Sequence, residues 1–252
     1  MTELEIHQIA AWSEIGLAAI TAGLVLFISA PYGRHGRGGW GPEIPARLGW
    51  VLMELPACLG FAAIFAAGAN ATALVPLLLF ALWQSHYVYR TFVFPFRIRA
   101  AGKTWPLSIA LLAVVFNSLN AYVNARWIGH LGEYGTAWLS DPRLWIGAAV
   151  FFVGMAINHQ ADAILRGLRK PGESGYKIPT GGLYRYVSCP NYLGEMIEWI
   201  GWAIATWSLG GLAFALYTMA NLGPRAMDHH RWYRKQFDDY PAERKALIPF
   251  VL

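Results

Sequence analysis

Charge is scarce in this chain. Asp, Glu, Lys and Arg make up 14% of its 252 residues, against roughly 25% in soluble proteins, which excludes an ordinary water-soluble globule. Cysteine is scarcer: Cys58 lies in an apolar run and Cys189 in a basic loop, so no disulfide framework is expected. No His-x-x-x-His or Cys-x-x-Cys spacing occurs, and no metal is expected. The adjacent His229 and His230 project in different directions on a helix. The glycine-rich run GRGGWG at 36–41 follows an apolar segment rather than a strand, so it lacks the context of a dinucleotide fingerprint and reads as a loop. Residues 1–12 are acidic and have no positive n-region, so no cleavable signal peptide is expected. No nucleic-acid motif accompanies the net charge of +5, and nucleic acid is not an expected partner. There is no repeat of fixed period.

What the chain does have is apolar length. Hydrophobic residues reach 56%, with twelve tryptophans, the residues that gather at bilayer interfaces. Seven stretches suffice to cross a hydrocarbon core, which needs about 20 helical residues. They lie near 9–30, 46–68, 72–94, 105–124, 144–165, 191–209 and 211–227. The fold class is therefore an all-α integral membrane protein with seven transmembrane helices, forming a single domain over 1–252. Short turns at 69–71 and near Gly210 make spans two and three, and six and seven, antiparallel neighbours. Of the 20 Lys and Arg residues, 18 fall on one side of this scheme, leaving Arg126 and Arg143 on the other. The excess of positive charge places the N-terminus outside and the C-terminus in the cytoplasm.

Polar residues inside spans are costly and point to function. At 1.5 Å per residue, Glu54, Tyr87 with His86, and Glu198 come out roughly 12 Å from the cytoplasmic end. Asn191 and Glu195 lie nearer the mouth, Asn158 and Asp162 in the same half, and Asn117 and Asn120 somewhat deeper. The outer halves read as almost purely apolar, so the expected pocket opens to the cytosol and is closed outside. Above it, 159–199 includes a basic strap with Arg166, Arg169, Lys170, Lys177 and Arg185, suited to a polyanion with a long polar body. Plainer roles stand beside these. A single Asn or Glu in a span can be a helix–helix hydrogen bond, Tyr87 an interface aromatic, and the tail HHRWYRKQFDDYPAERKAL a surface helix on anionic lipid. At Leu55-Pro56 the proline frees a backbone carbonyl for a polar partner.

The segments LRKPGESGYKIPTGGLYRYVSCPNYLGEMIEWIGWAIATWSL and RAMDHHRWYRKQFDDYPAERKALIPFVL closely resemble the C-terminal part of the 3-oxo-5α-steroid 4-dehydrogenases, or steroid 5α-reductases. The likeness is strongest to the vertebrate type 2 branch. It extends upstream through GMAINHQADAILRGLRKPG, SHYVYRTFVFPF and MELPACLGF, leaving 1–45 least distinctive. It implies NADPH as hydride donor and reduction of the Δ4 carbon–carbon double bond of a 3-oxo-Δ4 steroid. By the same resemblance, Glu54 and Tyr87 contact the keto oxygen. Asn120, Asn158, Asp162, Arg169, Tyr176, Asn191, Glu195, Arg225, His229 and Tyr233 contact the cofactor, largely through the loop 166–190 and the tail 225–252. Hydride goes to the β-carbon and a proton from water to the α-carbon. Met53 stands where the type 2 enzyme has Gln, and the Asn117–Asn120 stretch also departs, which bears on steroid preference. The enzyme is expected to be a monomer taking its substrate from lipid. Its membrane is the bacterial inner membrane, or the endoplasmic reticulum in a eukaryote.

Three alternatives remain open at this stage. Another enone lipid could be the substrate. Cys189-Pro190-Asn191-Tyr192-Leu193-Gly194-Glu195 partly echoes the membrane methyltransferases of the isoprenylcysteine carboxyl type, which use S-adenosylmethionine, though the His before Pro is missing. A seven-helix receptor or transporter is the non-enzymatic class.

Overall fold

Thr2 and Glu5 each donate a backbone N–H to the other's side chain in a capping box and so start α1, Glu3–Phe27. This computed structural model describes residues 1–28, 39–98, 100, 102–169, 173 and 175–252. Expectations for Arg34, Arg37, Arg99, Lys170 and residues 36–38 of the glycine-rich run fall outside them. Six further long helices follow among the described residues. They are α2 (Ala46–Ala66), α3 (Leu74–Val88, continued by Tyr89–Val93 and Phe94–Arg97), α4 (Leu107–Leu131), α5 (Pro142–Gly167), α6 (Pro190–Thr206) and α7 (Leu209–Gln236). Proline at the first position opens α5 and α6, where its missing N–H costs nothing. Asp141 and Ser208 cap α5 and α7 through their side chains.

The described residues are all-α apart from two three-residue strands. By length and composition α1, α2, α4 and α5 could cross a membrane. The other three fall short for visible reasons. The polar run Gln84-Ser85-His86-Tyr87, with Arg90 beyond it, dilutes α3, α6 has 17 residues, and α7 runs on into the basic sequence before Gln236. Large side chains face outward along the apolar helices, among them Trp12, Ile20, Val115 and Phe152, which suits a lipid surround.

Loop contacts separate two ends of the bundle. At one end Glu3 pairs with Arg126, and Asn70 in the α2–α3 turn bonds the backbone of His130 and Gly132. At the other, β1 (Glu43–Pro45) pairs antiparallel with β2 (Thr104–Pro106), and Val187 bridges to Lys245. The loops after α1, α3 and α5 and the C-terminal tail thus share one end, as the alternation of seven spans requires.

Lipid offers helices little hydrophobic drive to associate, so close packing must hold them. Glycines supply it between α5 and α6. A Cβ on Gly154 would fall 2.3 Å from the backbone N of Glu198, and one on Gly201 2.3 Å from that of Phe151. Beside this seam lies an aromatic core in which Trp83 stacks on Phe61 at 4.4 Å and touches Trp199 and Trp202 edge or tilt-on.

The half of the bundle remote from the β1–β2 end is less apolar than expected. His7, Glu14, Asn120, Asn124, Thr206 and Ser208 are all buried there or near mid-bundle. His7 Nε2 bonds Val123 O at 2.8 Å, Asn124 donates to Asn120 Oδ1 at 2.8 Å, and Trp202 donates to Asn124 Oδ1 at 2.8 Å. Mean hydropathy hides such groups because each sits on a helix face turned inward, where a few polar contacts fasten neighbours together.

Candidate functional site

Three hydrogen bonds set the register of α2 against α3: Trp50 Nε1 to Arg90 O (3.1 Å), Trp83 Nε1 to Ala57 O (2.7 Å) and Gln84 Nε2 to Cys58 O (2.9 Å). In that antiparallel frame Glu54 comes level with His86 and Tyr87. Both helices loosen just beyond, at Pro56–Gly60 and Tyr89–Val93, where the turns are π-helical; single π turns recur at functional sites. Asn117 on α4 donates to Met53 O at 2.6 Å. This is the helix–helix hydrogen bond expected of an in-span Asn, spent on a carbonyl beside the proline break.

Glu54 and Tyr87 line a cavity of about 700 Å³, together with Asn158 and Asp162 from α5, Asn191 and Glu195 from α6, and Arg225 from α7. Arg169 lines it beyond the end of α5. Eight of the twelve residues named from sequence therefore share one space. Asn158 Nδ2 donates to Asn191 O at 2.9 Å and Asn191 Nδ2 to Asp162 Oδ1 at 3.3 Å. The lower wall is apolar, with Leu112, Phe116, Phe214 and Tyr217. The β1–β2 end contributes Lys103 and Trp105.

The other four stand apart from the lining. Asn120 is buried against Asn124. His229 Nε2 meets Tyr192 Oη at 3.0 Å, so it backs a lining residue. Tyr176 sits edge-on to Trp232 at 4.7 Å, and Tyr233 stacks on Tyr240 at 5.4 Å. The basic strap also divides. Arg166 and Arg169 reach the cavity, Lys177 pairs with Glu173 at 2.6 Å, and Arg185 lies over the Tyr186 ring.

Arg90 was read from sequence as a topological charge, yet it lines the cavity. Its guanidinium lies 3.9 Å from Glu195 and over the rings of Trp50 and Phe94 at 4.7 and 4.6 Å. Its spacing was the available signal: Arg90 follows His86 by four residues and Tyr87 by three, on the same helix face. Asn221 and Thr218 on α7 also escaped notice. Their helix is polar along much of its length, and nothing marks its inward face.

The two neighbouring histidines diverge as helix geometry requires. His230 Nδ1 meets Ser188 Oγ at 2.7 Å, and the same hydroxyl meets Tyr240 Oη at 2.6 Å, fastening the tail to the loop before α6. Burial first, then Arg234, Arg244 and Lys245, lowers the His230 pKa from 6.5. The unfolded tail thus binds a proton more readily, and docking stability is full above about pH 6.5 and lost as pH falls through the lower folded value. Faster proteolysis of residues 237–252 below pH 6 than at pH 7.5 is the expected result, and His230→Gln should flatten the difference.

Chemically, the cavity offers donors and acceptors for a long polar ligand at its mouth and a narrower apolar floor for a flat hydrocarbon. Residues 103–252 match the family described as 3-oxo-5-alpha-steroid 4-dehydrogenase. The chain is similar to 3-oxo-5-alpha-steroid 4-dehydrogenase 1 of Bos taurus, 44% identical over 96% of this chain and 95% of that protein. It is also similar to steroid 5-alpha-reductase DET2 of Arabidopsis thaliana, 45% identical over 92% and 91%, and to that of Gossypium hirsutum, 46% identical over 89% of each. The likeness thus lies with type 1 and plant enzymes, which corrects the type 2 branch named from the motifs.

Proposed function

This chain belongs to the 3-oxo-5-alpha-steroid 4-dehydrogenase family, and we propose that it reduces the Δ4 double bond of a 3-oxo-Δ4 steroid with NADPH. The observation that carries the assignment of roles is the convergence of Glu54 and Tyr87 with a mouth rich in Asn, acid and Arg on one cavity. NADPH, when bound, supplies the hydride. The residues present fit it: Arg166 Nη1 is buried with no hydrogen-bond partner among the described residues, an orphan donor suited to a phosphate oxygen. Arg169 and Arg225 add charge at the same mouth, while Asp162 and Glu195 can accept from ribose hydroxyls and Asn158 and Asn191 can hold an amide.

Tyr87 donates to the keto oxygen, where negative charge builds once the β-carbon is attacked. Glu54, level with it, either donates in its protonated form or orients the phenol. The apolar floor excludes water and holds the ring system flat, with entry from lipid. Asn120, Tyr176, His229 and Tyr233 act from outside the lining, His229 by fixing Tyr192.

All seven helices span the membrane as one domain, N-terminus outside and C-terminus in the cytoplasm, because the order of spans in the sequence assigns 18 of the 20 basic residues to one side. The membrane is a bacterial inner membrane, or the endoplasmic reticulum in a eukaryote, and the protein acts as a monomer. Thermal shift of the purified protein tests the cofactor. NADPH should raise the melting temperature and S-adenosylmethionine should not; the reverse would favour a methyltransferase. Product mass after incubation with a 3-oxo-Δ4 steroid should increase by two hydrogens. Arg169→Ala is expected to weaken NADPH about 10-fold, or roughly 1.4 kcal/mol, by titration; unchanged affinity would remove Arg169 from the cofactor mouth.

A further inference from the structure

The reduction proposed above needs a proton as well as a hydride, and neither Glu54 nor Tyr87, both aimed at the keto oxygen, accounts for its delivery to carbon. His86 and Glu198 are buried side chains of α3 and α6 whose Nδ1 and Oε1 lie 2.8 Å apart. Nothing in the scheme so far uses the pair. It is placed at the chemistry: His86 lines the same cavity as Tyr87, and its ring meets the Tyr87 ring edge-on at 4.9 Å. Trp199 also meets the imidazole edge-on, at 4.8 Å, and helps to hold its plane. With Nδ1 engaged by Glu198, Nε2 makes no hydrogen bond among the described residues.

Glu198 gives a second, independent sign. Its Oε2 is fully buried with no partner among the described residues, a costly arrangement for a group that merely fastens two helices. A carboxylate that fixes the tautomer and steadies the charge of an imidazole is a recurrent arrangement where the imidazole moves protons.

We propose that His86, oriented by Glu198, donates the proton that reaches the α-carbon of the substrate. This rests on the reductase reading. Hydride arrival at the β-carbon shifts the double-bond pair toward the α-carbon and the keto oxygen. The Nε2–H bond of His86 then breaks as the α-carbon–hydrogen bond forms, and its electron pair stays on nitrogen. The pair passes from imidazole and carboxylic acid to imidazole and carboxylate, because Nδ1 takes the Glu198 proton as Nε2 gives up its own. A water proton entering past Arg90 and Glu195 restores Nε2–H, so the water-derived proton expected from sequence travels through this side chain. The charged and titratable groups facing His86 are Glu54 on α2, Tyr87 and Arg90 on α3, His159 and Asp162 on α5, and Glu195 with Glu198 on α6. Glu198 is a positioning residue here, since it acts through His86.

The test uses the full-length protein once wild-type turnover of NADPH with a 3-oxo-Δ4 steroid is in hand; absence of that turnover refutes the reductase reading and not the donor. His86→Gln should lower kcat by roughly 10²-fold or more with NADPH affinity retained. Proton delivery then limits the rate, so the effect of deuterium at the nicotinamide C4 should shrink while the effect of D2O grows. Added imidazole should restore part of the rate of His86→Gly. Glu198→Gln should lower kcat less and move its pH profile. Wild-type kcat in His86→Gln, or a fall with both isotope effects unchanged and no response to imidazole, overturns the proposal. If neither His86 variant folds, Glu198→Gln decides: an unmoved pH profile and unmoved isotope effects overturn it as well.

Discussion

Tyr87→Phe is expected to lower kcat by about 10²- to 10³-fold, the usual cost of deleting one donor to a developing oxyanion. The conjugated ketone carries little charge on oxygen before the hydride moves and nearly a full charge afterwards. A hydrogen bond there therefore strengthens between ground and transition state, and its loss appears in kcat rather than in binding. Phe keeps the ring contacts of Tyr87 with Trp83 and Trp199, so the aromatic core should survive. Glu54→Gln keeps the shape of the side chain and should lower kcat by a similar order if the carboxyl donates. A smaller fall would mean that it serves to orient the phenol. In both variants the NADPH affinity, read by titration of the purified protein, should stay within about 2-fold, because uniform binding is untouched. Near-normal turnover in both would remove the pair from the chemistry.

The second large effect falls on stability. Gly154→Ala and Gly201→Ala each place a methyl group where backbone atoms of the opposite helix already stand, 2.3 Å from the ideal Cβ position. A rotamer change cannot relieve contact with backbone, so α5 and α6 must part. A loss of roughly 3 kcal/mol for each is expected, at the upper end for overpacking, read as a lower melting temperature in detergent. Gly16→Ala on α1 is the control, since nothing lies within 4 Å of its Cβ position. It should be neutral or stabilising by up to about 1 kcal/mol through helix propensity. Equal melting temperatures for all three would show that the seam is not tight. Gly154→Ala should also slow turnover, because its Cβ would press on Glu198, which holds His86.

The large features of this molecule were legible because membranes constrain sequence strongly. Apolar length placed seven helices, and rise per residue brought Glu54 and Tyr87 to one level before any contact was known. Asn117 was readable too, as an in-span Asn that makes a helix–helix hydrogen bond. Direction around a helix axis was harder. Arg90 has the spacing of a site residue, but a cation near a helix end serves topology equally well. Glu14 was averaged away because hydropathy does not say which face looks inward, whereas Asn124 makes the helix–helix hydrogen bond an in-span Asn suggests. The four residues outside the lining, Asn120, Tyr176, His229 and Tyr233, could be named only by resemblance. No spacing rule separates a side chain that touches a ligand from one that braces its neighbour.

The glycine seam has a mechanical meaning for the cavity. Asn158 and Glu198 flank it, so the α5–α6 side of the slot behaves as a fixed jaw with no slack. Any widening to admit a bulky sterol must come from the opposite jaw, where α1 offers Val25 and α2 offers Trp50 and Met53. Substrates of different girth are therefore sorted by how far that side can yield.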